Sequence, residues 1–279
     1  MIVFKSERRL PGFRSRFEFS FILAVLTAIP LLVLNPPLAL LPPVVFGLLC
    51  LAGPFIQRFS FFLPVVLRGH RDRAEISLTF DDGPDPETTP RLLELLARYG
   101  VKGVFFVIGE KAAANPDLIR EILDEGHEIG NHSESHDVFL MLRGRKKIAA
   151  EIRSCQETLA GFSIIPKTFR PPVGITNPHL RPILESLKMR CVGFSCRPLD
   201  FGNRRLKGMK DKVLKKIQAG DILLLHDCRP HGAATVDQWL EQIEGILSGL
   251  QEKRLQAVPL SYLMDWLVME RQGGCKWGS

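Results

Sequence analysis

Glu75-Ile76-Ser77-Leu78-Thr79-Phe80-Asp81-Asp82-Gly83-Pro84-Asp85 is the stretch on which the reading of this 279-residue chain turns. Glu75 to Phe80 has the length and apolar content of a buried strand, and it runs directly into two adjacent carboxylates and a Gly-Pro turn. Neighbouring side chains on an extended strand point apart, but on a turn they can converge on one site from slightly different directions. Asp, Gly and Pro are also what ordinary turns are made of, so the segment alone has a bland reading beside the chemical one.

Outward from this point, short apolar runs alternate with longer mixed ones. Further strands are predicted at 103–108, 127–130, 168–170, 191–194, 221–225 and 255–258. Helices are predicted at 90–98, 116–125, 146–159, 178–187, 207–219, 235–250 and 260–270, several with start and stop signals such as Asn115-Pro116 and Gly126. Seven alternations across residues 74–279, with no internal repeat or low-complexity linker, predict one α/β domain, either a barrel or a doubly wound sheet. Active-site residues gather at strand ends in such folds, so the residues there carry the functional argument.

Gly130-Asn131-His132-Ser133-Glu134-Ser135-His136-Asp137 follows one predicted strand. Two histidines four apart share one face if the backbone makes a helical turn. With Asp82 they form a three-ligand set for a divalent metal that leaves one position open to water. Surface histidines beside a turn are the ordinary alternative, but together with Asp81-Asp82 chance is a poor account. Phe169-Arg170-Pro171-Pro172-Val173-Gly174 places an arginine where it can pair with a carboxylate, then a stiff loop whose Val173 amide can face a ligand. Leu223-Leu224-Leu225-His226-Asp227 ends a buried-looking run on a histidine, which needs a partner. His70, His127, His179 and the three tryptophans are read as solvated or structural, Cys228 as incidental, and His231 as a residue of the loop after His226, with substrate contact the minority reading.

With these motifs in order, residues 76–260 resemble the NodB-type polysaccharide deacetylase family, carbohydrate esterase family 4. The resemblance implies a distorted (β/α)7-type barrel and metal-dependent removal of an acyl group, usually acetyl, from an N-acylated amino sugar. It implies Asp81 as catalytic base, Asp82, His132 and His136 as metal ligands, and Arg170 as the group that orients the base. His226 matches the catalytic acid and Asp200 the aspartate that tunes it, while Pro172 and Val173 form the oxyanion and substrate loop. Val173 stands where the family has tyrosine, Phe201 where it has tryptophan, and Arg197 where an acid is expected. The cofactor expected is one divalent metal ion, Zn2+ before Co2+, Mn2+ or Ni2+. The alternative function is a deacetylase-like membrane protein that binds carbohydrate or regulates a partner without catalysis.

The first 73 residues read differently. No charged residue occurs between Phe19 and Gln57, and Asn35-Pro36-Pro37 divides this stretch into two apolar runs. Each is just long enough to cross a bilayer as one arm of a helical hairpin; a single span plus an interfacial segment at 59–67 is the other reading. No Ala-x-Ala-like site follows the first run, so a retained anchor is expected rather than a cleaved signal. Lys5, Arg8, Arg9, Arg14 and Arg16 place the N-terminus in the cytoplasm. A hairpin then returns the catalytic domain, 74–279, to the cytoplasmic side of a bacterial inner membrane, with Arg58, Arg68, Arg71 and Arg73 near anionic lipid. That side favours a lipid-linked sugar or glycolipid over an extracellular polymer as substrate. Residues 1–73 hold 9 of the 37 basic but only 3 of the 30 acidic residues, leaving 28 against 27 in the rest. The basic excess therefore belongs to the anchor, which argues against nucleic-acid binding. Six cysteines without Cys-x-x-Cys spacing indicate neither a zinc-thiolate site nor a disulfide framework.

Overall fold

Side chains along Glu75–Asp81 alternate between two buried faces: Ile76, Leu78 and Phe80 enter the main apolar core, while Ser77, Thr79 and Asp81 point the other way. The computed structural model describes residues 15–272 and builds the rest of the domain around this strand. The chain begins with helices α1 (Arg16–Leu34) and α2 (Leu41–Ala52), then β1 (Val65–Val66), β2 (Glu75–Asp81), α3 (Thr89–Arg98) and β3 (Val104–Val107). It continues through α4 (Gly109–Ala114), α5 (Pro116–Asp124), β4 (Glu128–Asn131), α6 (Arg145–Ala160), β5 (Ile164–Pro166), β6 (Thr168–Phe169), α7 (Leu180–Ser186) and β7 (Arg190–Val192). Last come α8 (Met209–Lys216), β8 (Ile222–His226), α9 (Val236–Glu252), β9 (Gln256–Ala257), α10 (Leu260–Met264) and β10 (Met269–Arg271).

The main sheet is parallel, in the order β1-β7-β6-β4-β3-β2-β8, with β9 also paired to β2. Beyond β7 the chain bends so that the Ser195 and Cys196 amides donate to Ile222 O and the Leu224 amide donates to Cys196 O. This contact curls the sheet into a half-barrel, consistent with the distorted (β/α) barrel expected. Val104, Val192 and Ile222 pack against Leu260 and Leu263 of α10 and plug the interior. Leucines of α3 and the buried face of α9, including Trp239, cover the outside of β2 and β8.

Three differences from the sequence reading have identifiable causes. The helix predicted over 260–270 stops at Met264, where Asp265 takes a left-handed conformation (φ 55°), and Met269–Arg271 pairs antiparallel with β5 instead. β1, β5 and β10 are two or three residues long, too short to show a period of two. The segment 59–67, expected in the membrane interface or beside a lipid tail, lies partly in the domain core. Phe61, Phe62 and Leu63 are buried with Ile148, Ile152, Leu180 and Ile183, and Val65–Val66 pairs with β7. An aromatic run suits a protein core as well as a lipid boundary, and the open edge of β7 supplies the partner. The layer around the sheet thus includes residues before the predicted division at 73/74.

α1 carries one buried residue, Ala24, and α2 none, so both present apolar side chains outward; Val33 is 83% exposed and Leu51 72%. Arg16–Leu34 and Leu38–Phe55 are each long and apolar enough to cross a membrane. They form a hairpin that breaks after Leu34, as predicted. Its base is tied to the domain: the Phe17 amide donates to Phe61 O at 3.0 Å, Arg16 Nη1 donates to Phe59 O at 2.7 Å, and the Phe17 ring touches those of Phe46, Phe61 and Phe62. The basic residues Lys5, Arg8, Arg9 and Arg14, and the tail holding Cys275 and Trp277, lie outside the described residues.

Two phenylalanines six positions apart test this seam. Phe61→Ala should cost about 3–5 kcal/mol and lower the unfolding temperature in detergent, whereas Phe55→Ala, at an exposed site, should stay within about 0.5 kcal/mol. Equal unfolding temperatures would contradict the packing assigned to Phe61.

Candidate active site

Every strand that contributes to the site does so with its carboxyl-terminal residue or the one after it. β2 ends on Asp81, and Asp82 follows in a left-handed conformation (φ 71°), which turns its carboxylate back toward the same space. β4 delivers His132. The following loop, and not a helical turn, delivers His136: Ser133 and His136 both have positive φ (70° and 54°). That corrects the local geometry expected for the pair. The loop is held by side chains, with Asn131 Oδ1 accepting from the Ser133 amide and buried Glu151 accepting from the Ser135 amide and hydroxyl.

The result is a three-donor cluster. Asp82 Oδ1 lies 3.4 Å from His132 Nε2 and 3.1 Å from His136 Nε2, and all three donor atoms lie within 4.8 Å of one another. His132 Nδ1 donates to Arg170 O at 2.7 Å, which leaves Nε2 with its lone pair free for the cluster. Burial raises the Asp82 pKa, but with both imidazoles protonated their hydrogen bonds and charge outweigh it and hold the carboxyl well below the ordinary range; a divalent metal takes the place of those protons. Two imidazole nitrogens and one ionised carboxylate are a donor set that fits a divalent metal such as zinc with a position left open.

Beside this cluster, Asp81 is clamped by a buried arginine. Arg170 Nη1 donates to Asp81 Oδ1 at 2.6 Å and to Thr79 Oγ1 at 2.7 Å; Nη2 donates to Gly193 O and Nε to Val192 O, and Arg170 Cζ sits 4.0 Å from the centre of the Phe106 ring. The other Asp81 oxygen, Oδ2, faces His132 Nε2 at 3.8 Å. Arg170 continues into the Pro171–Gly174 loop, where Val173 holds φ 52°, ψ 10° with its side chain 55% exposed. A β-branched residue in that region is strained, so the surrounding loop must enforce it. Gln57 Nε2 donates to Gly174 O and the Thr176 amide to Pro54 O, so the end of the apolar hairpin is bonded to this loop.

On the neighbouring strand, β8 ends on His226, paired in register with Asp81. His226 Nδ1 lies 2.7 Å from the buried Asp200 Oδ2. Burial works against the imidazolium, but the Asp200 hydrogen bond and charge prevail and raise its pKa to about 9. The 199–203 loop that presents Asp200 has positive φ at Leu199, Phe201, Gly202 and Asn203, and Asn203 Nδ2 ties it to His226 O and Cys228 O.

A cleft of about 750 Å³ brings together Asp81, Asp82, His132, His136, Arg170, Val173, Asp200 and His226, with His231 at its wall. Pro172 is buried. Sequence reasoning missed the groups that hold these residues: Thr79, Glu151, Asn203, and Lys111, whose Nζ donates to Asp82 O at 2.6 Å. Thr79 sits in the quoted motif; the others carried no local signal. Other readings hold with refinements. His127 is structural but accepts, from the Gly103 amide, and burial lowers its pKa to about 4, so it is neutral. Burial pushes the Cys228 thiol far up, out of reach of reactive thiolate chemistry.

Comparison with known proteins agrees with this geometry. A polysaccharide deacetylase family model matches residues 68–192. A peptidoglycan-N-acetylglucosamine deacetylase of Bacillus cereus is 33% identical over 193 residues, covering 68% of this chain and 88% of that protein. One of Listeria monocytogenes is 33% identical over 172 residues, 61% of this chain and 36% of that longer protein, so this chain spans about a third of its length. The crystal structure of the Bc1960 peptidoglycan N-acetylglucosamine deacetylase superposes with a TM-score of 0.65 at 30% identity, covering 73% of this chain and 94% of that one.

The His226–Asp200 pair gives a measurable titration. NMR of ring-labelled protein should place His226 near 9, and Asp200→Asn should bring it down toward about 6.5. Since the folded value lies above the unfolded one, the pair's contribution to stability is full below about pH 6.5 and is lost as pH rises through 9. An unshifted value in Asp200→Asn would contradict the assigned cause.

Proposed function

The chain belongs to the NodB-type polysaccharide deacetylase family, carbohydrate esterase family 4, and from that premise we propose that it removes the N-acetyl group of an amino sugar carried on a membrane lipid. It is a metal-dependent hydrolase. The observation that carries the proposal is the convergence of the Asp82, His132 and His136 donors beside an aspartate held by a buried arginine.

When bound at those three residues, the metal supplies Lewis acidity, lowering the pKa of water and polarising the acyl carbonyl; zinc is the ion we propose. Asp81 takes the proton of the attacking water. Arg170 holds Asp81 through a charge-assisted hydrogen bond and fixes which oxygen faces the cluster. The carbonyl oxygen gains negative charge as water adds, and the Val173 amide, on its strained loop, is the donor we assign to it. His226, charged at neutral pH through Asp200, gives its proton to the departing amine. The acid and base thus stand on the neighbouring carboxyl ends of β8 and β2.

For the setting, we propose an anchor in residues 1–73 and a catalytic domain in 74–279 that meet at the Phe61–Val66 seam, with the domain on the cytoplasmic side of the inner membrane. One feature supports this reading. The hairpin brings both of its ends, Arg16 and Pro54–Gln57, to the domain. An acyl sugar near the bilayer surface, in a lipid-linked intermediate or glycolipid, is the substrate that such a placement reaches.

Chelation should abolish acyl release from N-acetylated amino sugars, and added Zn2+ should restore it. Asp81→Asn should lower kcat by about 100-fold or more with metal content unchanged by elemental analysis; normal turnover in that variant would remove Asp81 from the role of base. Sidedness is tested with a variant whose only cysteine is Cys275. A membrane-impermeant thiol reagent should label it only after permeabilisation, and labelling in intact cells would put the domain outside.

A further inference from the structure

A second cavity, of about 820 Å³, adjoins the catalytic cleft; Val173, Gly174, Phe194 and Arg197 line both. Four arginines line it, Arg58, Arg68, Arg71 and Arg197, and no acidic residue does. Arg58 and Arg71 are exposed and have no carboxylate partner among the described residues. Arg197 lies over the Phe194 ring at 5.1 Å, which leaves the edge of its guanidinium open. Arg68 is built in: its Nη1 is 2.7 Å from Asp221 Oδ1, and the buried Asp221 also accepts from the Ser195 hydroxyl and the Gln218 amide. At its far end the cavity reaches Phe55 and Ile56, 68% and 51% exposed, where the second apolar segment ends.

We infer that this cavity is a phosphate-binding subsite for the linkage between the amino sugar and its lipid. The inference rests on the deacetylase reading of the first cleft and specifies its substrate as a phosphate-linked glycolipid. Three chemistries occur in one spatial order. The metal-ligand cleft takes the sugar, the arginine-lined cavity takes an anion, and the exposed apolar end of the hairpin meets a lipid. A neutral glycan leaves the Arg58, Arg71 and Arg197 guanidinium groups without a counter-charge, whereas a phosphate or diphosphate between sugar and lipid satisfies them with paired N–H donors. Arg197 and Phe194, shared by both cavities, mark where sugar gives way to phosphate.

The test uses full-length, metal-loaded protein in neutral detergent micelles with two probes: N-acetylglucosamine joined to an isoprenoid through phosphate, and the same sugar and isoprenoid joined as a simple glycoside. The wild type should favour the phosphate-linked probe at least about ten-fold in kcat/KM. The Arg58→Gln/Arg71→Gln variant should reduce that ratio by about ten- to a hundred-fold, as expected for lost charge-assisted hydrogen bonds. Arg68 is left intact because removing it strands the Asp221 charge. A ratio near one in the wild type, or an unchanged ratio in the variant, overturns the subsite. So does a dependence on Arg58 and Arg71 that appears only in vesicles of anionic phospholipid, which would assign these residues to the bilayer surface. If the wild type hydrolyses neither probe, the deacetylase reading has failed, and equilibrium binding to chelator-treated protein still decides the subsite. Preference for the phosphate-linked probe that the double variant loses supports it, and equal binding of both probes overturns it.

Discussion

A single buried ion pair organises this molecule. Arg170 points into the interior of the curled sheet and spends its donors on Asp81, Thr79, Val192 and Gly193, joining β2, β6 and β7 over the ring of Phe106 on β3. Taking both charges out of water costs several kcal/mol per ion, and the pair is tolerable because nearly every lone pair and N–H around it is satisfied. Its return is geometric: Asp81 is left with one engaged oxygen and one facing the histidine cluster. Thr79 is polar on the inner face of a buried strand because its hydroxyl accepts from Arg170 and donates to Leu223 O.

The same economy of position governs electrostatics. Asp82 and His226 lie in one cleft and are pushed in opposite directions from the ordinary carboxylate and imidazole values, both toward the charged form. In each case partners overcome burial: two imidazoles for Asp82, one buried carboxylate for His226. Asp227, next in the chain after His226, shows the opposite outcome. Hydroxyls of Thr88 and Thr89 donate to it, but burial prevails and raises it to about 6. Neutral donors do not replace a counter-charge.

Much of the site was legible in the sequence because parallel strands bring their carboxyl ends to one place, so a polar residue that ends an apolar run is already located. Asp81, His132, Arg170 and His226 were found on that logic. His136 was found by its spacing but placed by a different geometry, since Ser133 and His136 leave the helical region. Glu151, Asn203 and Lys111 act across long sequence separations and carry no local mark. An aromatic run suits either lipid or protein surroundings. Phe59 to Leu67 has the composition of either, and only packing against α6 and α7 decides for Phe61 to Leu63. Short strands such as β5 and β10 exist because each completes the other's hydrogen bonds, which neither sequence states alone.

The hydrogen bonds from Gln57 to Gly174 and from Thr176 to Pro54 give the catalytic domain no slack at its junction with the hairpin. An enzyme on a loose tether sweeps a volume and acts on any sugar within it. Here the position of the metal ligands relative to the end of the hairpin is fixed by the fold. In the bilayer setting proposed above, that fixed height would confine the site to sugars at one distance from the surface, a limit independent of their chemistry.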